Sequence, residues 1–313
     1  MPLPTRTLGH SGLEVSVLGL GCNNFGRSVD LAGTRAVVDA ALAEGVTFLD
    51  TADIYGGDGA SEALLGQVLR GRRERVVLGT KFGMDMGDGR GPRGSRAYIL
   101  ESVEDSLARL KTDVIDVYWY HQPDGVTPIA ETLGALDELV RAGKVRAIGA
   151  SNFTAEQLEE ADQVAREHGY TRFTAVQNHY SLLAREAERD VLPTCERLGL
   201  AFVPYYPLAS GLLTGKYRRG APPPPGSRLA SRGRMPSEEQ FALLEALEEF
   251  ARQRGRSLLE LAIGALLARP VVASVIAGAT RPEQVRANAA AARRPLSDED
   301  ATALDDLLGA PAR

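Results

Sequence analysis

Four residues carry side chains that together could move a proton. They are Asp50 and Tyr55 in Phe-Leu-Asp-Thr-Ala-Asp-Ile-Tyr-Gly, Lys81 in Gly-Thr-Lys-Phe-Gly, and His121 in Tyr-Trp-Tyr-His-Gln-Pro-Asp. A free tyrosine has a pKa near ~10 and is a poor acid at neutral pH. An ammonium beside it favours the phenolate and lowers that pKa, and a carboxylate keeps the amine charged and in place. An imidazole hydrogen-bonds a substrate oxygen and orients it. The quartet predicts Tyr55 as general acid, Lys81 as its electrostatic partner, Asp50 as the anchor of Lys81, and His121 as the group that orients the acceptor. Singly, each has a plainer explanation as a helix cap, a packed aromatic, a solvated strand end or a structural imidazole.

Such a site needs elements that carry distant residues to one rim. Asp50, Lys81 and His121 each stand at or just after the end of an apolar, strand-like run, and Tyr55 lies one short loop beyond the first of them. Candidate strands run over residues 18–21, 47–50, 76–81, 115–120, 145–151, 175–178, 201–205 and 272–276. Most are continuously apolar, as strands buried on both faces are. Amphipathic stretches at 34–44, 96–110, 128–142 and 155–167 read as helices between them. Eight such units in 313 residues predict an α/β fold, a (β/α)8 TIM barrel in which strand ends meet at one mouth. A short β-hairpin precedes it, with His10-Ser11-Gly12 as the turn between Arg6-Thr7-Leu8 and Glu14-Val15-Ser16-Val17. The whole chain, residues 1–313, is expected to be a single barrel domain. A doubly wound sheet is the rival, but Gly19-Leu20-Gly21-Cys22-Asn23-Asn24 lacks the third glycine of a dinucleotide fingerprint and no helix opens directly after it.

Near the end of the chain, Ile276-Ala277-Gly278-Ala279-Thr280-Arg281-Pro282 reads as strand, Gly-containing turn and helix start. Free N–H groups at such a helix start suit an anion, and Thr280 and Arg281 add donors suited to a 2′-phosphate. Gln284 and Asn288, four apart, share one helix face. Residues 216–236 hold four consecutive prolines, Pro222 to Pro225, and the arginines Arg218, Arg219, Arg228, Arg232 and Arg234. That stretch is too long for a plain connection and reads as a functional lid or a disordered insert.

The quartet, in context, spacing and order, resembles the catalytic tetrad of the aldo-keto reductases, and the resemblance runs over nearly the whole chain. It implies an oxidoreductase that reduces an aldehyde or ketone to an alcohol by hydride transfer from NADPH; separately, the lack of a membrane-length apolar run and of an apolar signal stretch after Met-Pro-Leu-Pro-Thr-Arg predicts a cytoplasmic protein. Gly149-Ala150-Ser151-Asn152 and Gln177-Asn178 resemble the family segments whose side chains hold the nicotinamide carboxamide, a role carried to Ser151, Asn152 and Gln177. The segment Tyr205-Tyr206-Pro207-Leu208 through Gly211 to Lys216 is similar to the stacking aromatic and the belt across the pyrophosphate. Tyr206 departs from the serine usual there. Gly278, Thr280, Arg281, Gln284 and Asn288 resemble the adenosine-phosphate end, with Ala277 where the family usually has proline. Gly21, Asn23 and Asp50 at the mouth, and Arg228 from the Pro/Arg-rich loop, complete the expected cofactor contacts.

Composition bounds the alternatives. The net charge of -5 argues against a nucleic-acid footprint, and no apolar run approaches the ~20 residues of a membrane span. Two cysteines without CxxC spacing exclude a cysteine-built metal site and fit a reducing compartment. Cys195 reads as helix core, whereas Cys22, at the mouth, is either core or a reactive thiol. Competing functions are an NADP-binding regulatory subunit resembling potassium-channel β subunits, and a Schiff-base lyase built on Lys81. The substrate and the oligomeric state are not legible.

Overall fold

The computed structural model describes residues 3–231, 233 and 235–309. Strands β1 (Thr5–Thr7) and β2 (Glu14–Ser16) pair antiparallel as the opening hairpin. Eight strands then form one parallel sheet: β3 (Leu18–Gly21), β4 (Phe48–Asp50), β5 (Val77–Phe82), β6 (Ile115–Tyr120), β7 (Val145–Ser151), β8 (Ala175–Gln177), β9 (Ala201–Phe202) and β10 (Val275–Gly278). Their spatial order is β10-β3-β4-β5-β6-β7-β8-β9. A parallel bridge between Phe202 and Val272 joins the two ends, with Phe202 donating to the Val271 carbonyl at 2.7 Å. The sheet is thus the wall of a (β/α)8 barrel.

Helices cover the outside: α1 (Leu31–Glu44), α2 (Ala60–Val68), α3 (Arg96–Leu110), α4 (Ile129–Arg141), α5 (Ala155–His168) and α6 (Val191–Leu198), then α7 (Arg228–Ser231), α8 (Glu238–Gln253), α9 (Leu258–Leu267), α10 (Pro282–Ala292) and α11 (Asp298–Leu308). Capping boxes start three of them, Thr154 with Gln157, Ser237 with Gln240 and Ser257 with Glu260. None of the described helices is long and apolar enough to cross a membrane.

Alternation along the strands divides the core. Phe48, Val117, Trp119, Ala147, Ala175 and Val203 point into the barrel, where Leu8, Leu13 and Val15 of the hairpin region join them. Close contact there demands glycine at position 9, since a Cβ would sit 2.0 Å from the Thr174 carbonyl oxygen. A second apolar layer, with Val37, Leu65, Ile99, Leu136 and Ile148, lies between strands and helices. A third binds Tyr217 and Leu229 of the Pro/Arg-rich stretch to Phe241, Leu244 and Leu261 of α8 and α9. Pro225 and Gly226 are exposed, yet both flanks of that stretch are packed, and a short helix begins at Arg228; a disordered insert is not what the described residues form. Arg232 and Arg234 lie outside the described residues.

Two strands depart furthest from the apolar runs. The run 201–205 keeps only Ala201 and Phe202 as strand, because Pro204 has no N–H to give the ladder. The last strand begins at Val275, three residues late, because Val272 is spent on the barrel seam.

Candidate active site

Parallel pairing sets Asp50 against Gly79, so β4 and β5 deliver Asp50 and Lys81 to the same end of the barrel. His121 follows β6 directly and donates its N–H to the Phe82 carbonyl at 2.8 Å. Tyr55 stands on the turn after β4, where its N–H reaches the Ala52 carbonyl at 3.1 Å and its own carbonyl accepts from Ser61 at 3.0 Å. Lys81 is fully buried; its ammonium pairs with Asp50 and donates to the Thr51 carbonyl at 2.8 Å. The other Asp50 oxygen accepts from the Gln177 amide at 3.0 Å. Lys81 Nζ lies 5.0 Å from the centre of the Tyr55 ring, and that ring meets the His121 ring edge-on at 5.9 Å. The four predicted side chains therefore form one contiguous group.

Electrostatics within the group differ from the expectation in one respect. Burial raises the Tyr55 phenol above its ordinary range, and the nearby Lys81 charge opposes this without reversing it. Burial would discharge Lys81, but Asp50 and then Tyr55 outweigh it and hold the ammonium charged. Burial likewise pushes Asp50 up, against the pull of Lys81 and Gln177. His121 is driven well below its usual pKa, first by burial and then by Lys81, so it is a neutral imidazole at physiological pH. Its Nδ1 is buried and has no hydrogen-bond partner among the described residues. The group can thus donate a proton from a phenol and a hydrogen bond from a neutral ring.

The floor beneath these residues is something the sequence pattern did not reveal. Trp119, fully buried, fills the barrel next to Asp50. It fits because two neighbours are glycine: a Cβ at Gly149 would come within 2.3 Å of the indole, and one at Gly79 within 2.9 Å of its nitrogen and 3.3 Å of Asp50 Oδ1. Thr51, Ser61 and the Cys22 carbonyl form a buried hydrogen-bonded chain at 2.8 and 2.9 Å that ties β4, α2 and β3 together. Only residue types in a Gly-rich loop announce Ser61 and Glu62, which is no usable signal. Cys22 itself is core, with burial foremost among the causes that push its thiol far up and make it unreactive.

The expected cofactor residues line the same mouth. Ser151 is buried and donates to the Gln177 carbonyl at 2.8 Å; Asn152, in the left-handed region at φ 58, donates to the His121 carbonyl at 2.9 Å. Tyr205 donates its hydroxyl to Asn152 at 2.7 Å and stacks on His179, with ring centres 5.6 Å apart. Gln177 gives its amide to Asp50 rather than leaving it open. Tyr206 is exposed and also left-handed, as are Ala209 and Ser210 in the 3-10 turn Ala209–Thr214. Pro207 is buried and Leu208 half-buried, so they support this belt from below. At Gly211 a Cβ would lie 2.9 Å from Lys216 Nζ, which folds back over the belt. Gly21 pairs with Gly278 across β3 and β10, and Asn23 and Asn24 stand over Gly278. Arg228 donates to Asn24 at 3.3 Å and lies over the Tyr206 ring at 5.7 Å. Thr280 donates twice to Gln284, while Asn288 is buried one turn further along α10. Helix α10 starts at Arg281 and Pro282 without a side-chain cap.

This donor set suits an elongated anionic ligand with a flat ring at one end. An aromatic plane, Tyr205, held to Asn152 by its hydroxyl, stands at one end, and an uncapped helix start stands at the other. The profile of the Aldo/keto reductase family matches residues 17–308. The uncharacterized oxidoreductase YrpG of Bacillus subtilis (strain 168) is 37% identical over 97% of this chain and 95% of its own length. The L-glyceraldehyde 3-phosphate reductase of Escherichia coli (strain K12) is 35% identical over 90% of this chain and 86% of its own. A probable voltage-gated potassium channel subunit beta of Oryza sativa subsp. japonica is 35% identical over 90% and 89%. The chain belongs to the aldo/keto reductase family.

Proposed function

We propose that this oxidoreductase reduces an aldehyde or ketone to the alcohol, with NADPH as the hydride donor and Tyr55 as the general acid. The observation that carries the proposal is the buried Lys81–Asp50 ion pair set 5.0 Å from the Tyr55 ring, beside a neutral His121. When bound, the reduced nicotinamide supplies the hydride. His121 holds the carbonyl oxygen by a hydrogen bond and, being neutral, does not protonate it. Tyr55 delivers the proton to that oxygen. Lys81 stabilises the phenolate left behind, which restores part of the acidity that burial removes. Asp50 and Gln177 keep Lys81 in position. Tyr205 is the stacking face, Ser151 and Asn152 offer groups to the carboxamide, and Thr280, Arg281 and the start of α10 suit a 2′-phosphate, which favours NADPH over NADH.

On this reading the partner is a small carbonyl compound rather than nucleic acid or membrane, and the compartment is the reducing cytoplasm. The name of the Escherichia coli relative recommends L-glyceraldehyde 3-phosphate as one probe. The rice relative supports a second reading, a regulatory subunit that binds the cofactor and turns over little. The deciding assay offers an aldehyde panel, including that phosphorylated one, with NADPH or NADH to the parent and to Tyr55→Phe. The expected result is turnover in the parent, preferring NADPH, and a loss of roughly 10²- to 10⁴-fold in the variant. Undiminished reduction by Tyr55→Phe removes the acid assignment, and no turnover of any aldehyde by the parent favours the regulatory subunit.

A further inference from the structure

Between Asp50 and Tyr55 stands a carboxylate that the mechanism does not use. Asp53 is 3% exposed, and among the described residues no cation pairs with it; its Oδ1 has no hydrogen-bond partner. The cations near it are already committed. Glu62, fully buried on α2, takes the Arg109 guanidinium at 2.6 Å and the Thr80 hydroxyl. Lys81 is held by Asp50 and Thr51. Of three further buried hydroxyls, those of Tyr98 and Ser102 on α3 interact with one another, and that of Tyr118 on β6 has no hydrogen-bond partner among the described residues. The Asp53 carboxyl acts on both of these tyrosines electrostatically.

The backbone connects this pocket to the reacting groups on both sides. The Asp53 N–H donates to the Lys81 carbonyl at 3.2 Å, and the Tyr55 N–H closes the same turn on Ala52. We propose that Asp53 is a positioning residue whose carboxyl, accommodated while it keeps its proton and repelled by the dry Glu62 once it loses it, sets the posture of the turn that carries Tyr55. The inference rests on Tyr55 being the acid.

The charges that face Asp53 from the packed elements oppose one another, and the raising influences prevail. Burial comes first and Glu62 second in raising its carboxyl to about 7; the Ile54 N–H, then Arg109 and Lys81, oppose them. Arg90 and Asp88, on the loop before α3, act on Tyr98 rather than on Asp53 directly. The Tyr55 phenol lies above this range and the His121 imidazole well below it. Asp53 is therefore placed to change charge across neutrality while those two groups do not.

The test measures kcat and KM for reduction of 4-nitrobenzaldehyde by NADPH across neutral pH in the parent and in Asp53→Asn, an isostere that stays neutral. In the parent kcat should fall roughly threefold or more from about pH 6 to about pH 8 with KM steady; in Asp53→Asn that fall should vanish. The same profile in both proteins overturns the proposal. A second readout needs neither turnover nor the variant. Backbone amide resonances of Tyr55 and Lys81 in the cofactor-free parent should titrate over the same interval, and static resonances overturn the coupling. Titrating amides in a parent that reduces no aldehyde support the coupling and count against the reaction instead.

Discussion

At the scale of single residues, the ion pair beneath Tyr55 matters as much for folding as for chemistry. Asp50 is 2% exposed and Lys81 fully buried, so deleting one partner strands the other in a dry site. Lys81→Met should cost about 3–5 kcal/mol, read as a lower urea midpoint, besides its loss of rate. Adding Asp50→Leu should recover most of the stability and none of the activity. A single variant that unfolds at the parent midpoint would show the pair to be energetically idle. The identity of this pair was legible because two charged residues closed apolar strands, where solvent alone cannot account for them. The net shift at Tyr55 was not legible. A charge partner can be named from sequence, but how much water is removed from the phenol depends on packing by residues from several strands. For the same reason the motifs that contain Gly79, Gly149 and Asp53 did not disclose what these three do: their roles exist only after the strands β4 to β7 are set side by side.

At the scale of elements, helices α3 and α5 were readable almost to the residue, since cap and apolar period agree; strands β9 and β10 were not, since the barrel seam and Pro204 decide where pairing begins and stops. Loops on the rim are held by devices of their own. Asp124, after β6, accepts from the backbone of Gly94, Val126 and Thr127 and from the Thr127 hydroxyl, stapling the loop before α3 to the loop before α4. Burial pushes this carboxyl up, but those donors outweigh it and hold it down to about 2. A depressed carboxylate adds stability above its unfolded pKa of about 3.9 and loses it as the pH falls through about 2. Asp124→Asn should therefore lower the parent's stability by about 1 kcal/mol near neutrality, after allowance for solvent screening, with the difference closing between about pH 4 and about pH 2. Thermal unfolding over that range measures it, and a gap that persists at the acid end would remove the assignment.

At the scale of the whole molecule, the Pro/Arg-rich stretch spans the mouth. Its flanks are sunk in the apolar cluster under α8 and α9 through Tyr217 and Leu229, while Arg228 reaches Asn24 beyond β3. The cluster of prolines was legible as a stretch that spends little entropy on ordering; its two apolar anchors were not, since single aromatic and aliphatic residues among arginines carry no period. Binding of NADPH should slow amide exchange at residues 218–221 and 226–228, on either side of the prolines and between the two apolar anchors. Exchange unchanged under saturating NADPH would make the stretch a fixed strap rather than a lid.

The glycine-seated indole under the site has a practical consequence. Trp119 is the single tryptophan of the chain and is fully shielded from solvent, so its emission comes from one environment beside Asp50. The protein thus contains a built-in optical probe: a change in that one indole's emission on adding a nicotinamide cofactor is the expected sign of an occupied mouth, and it needs neither label nor substrate.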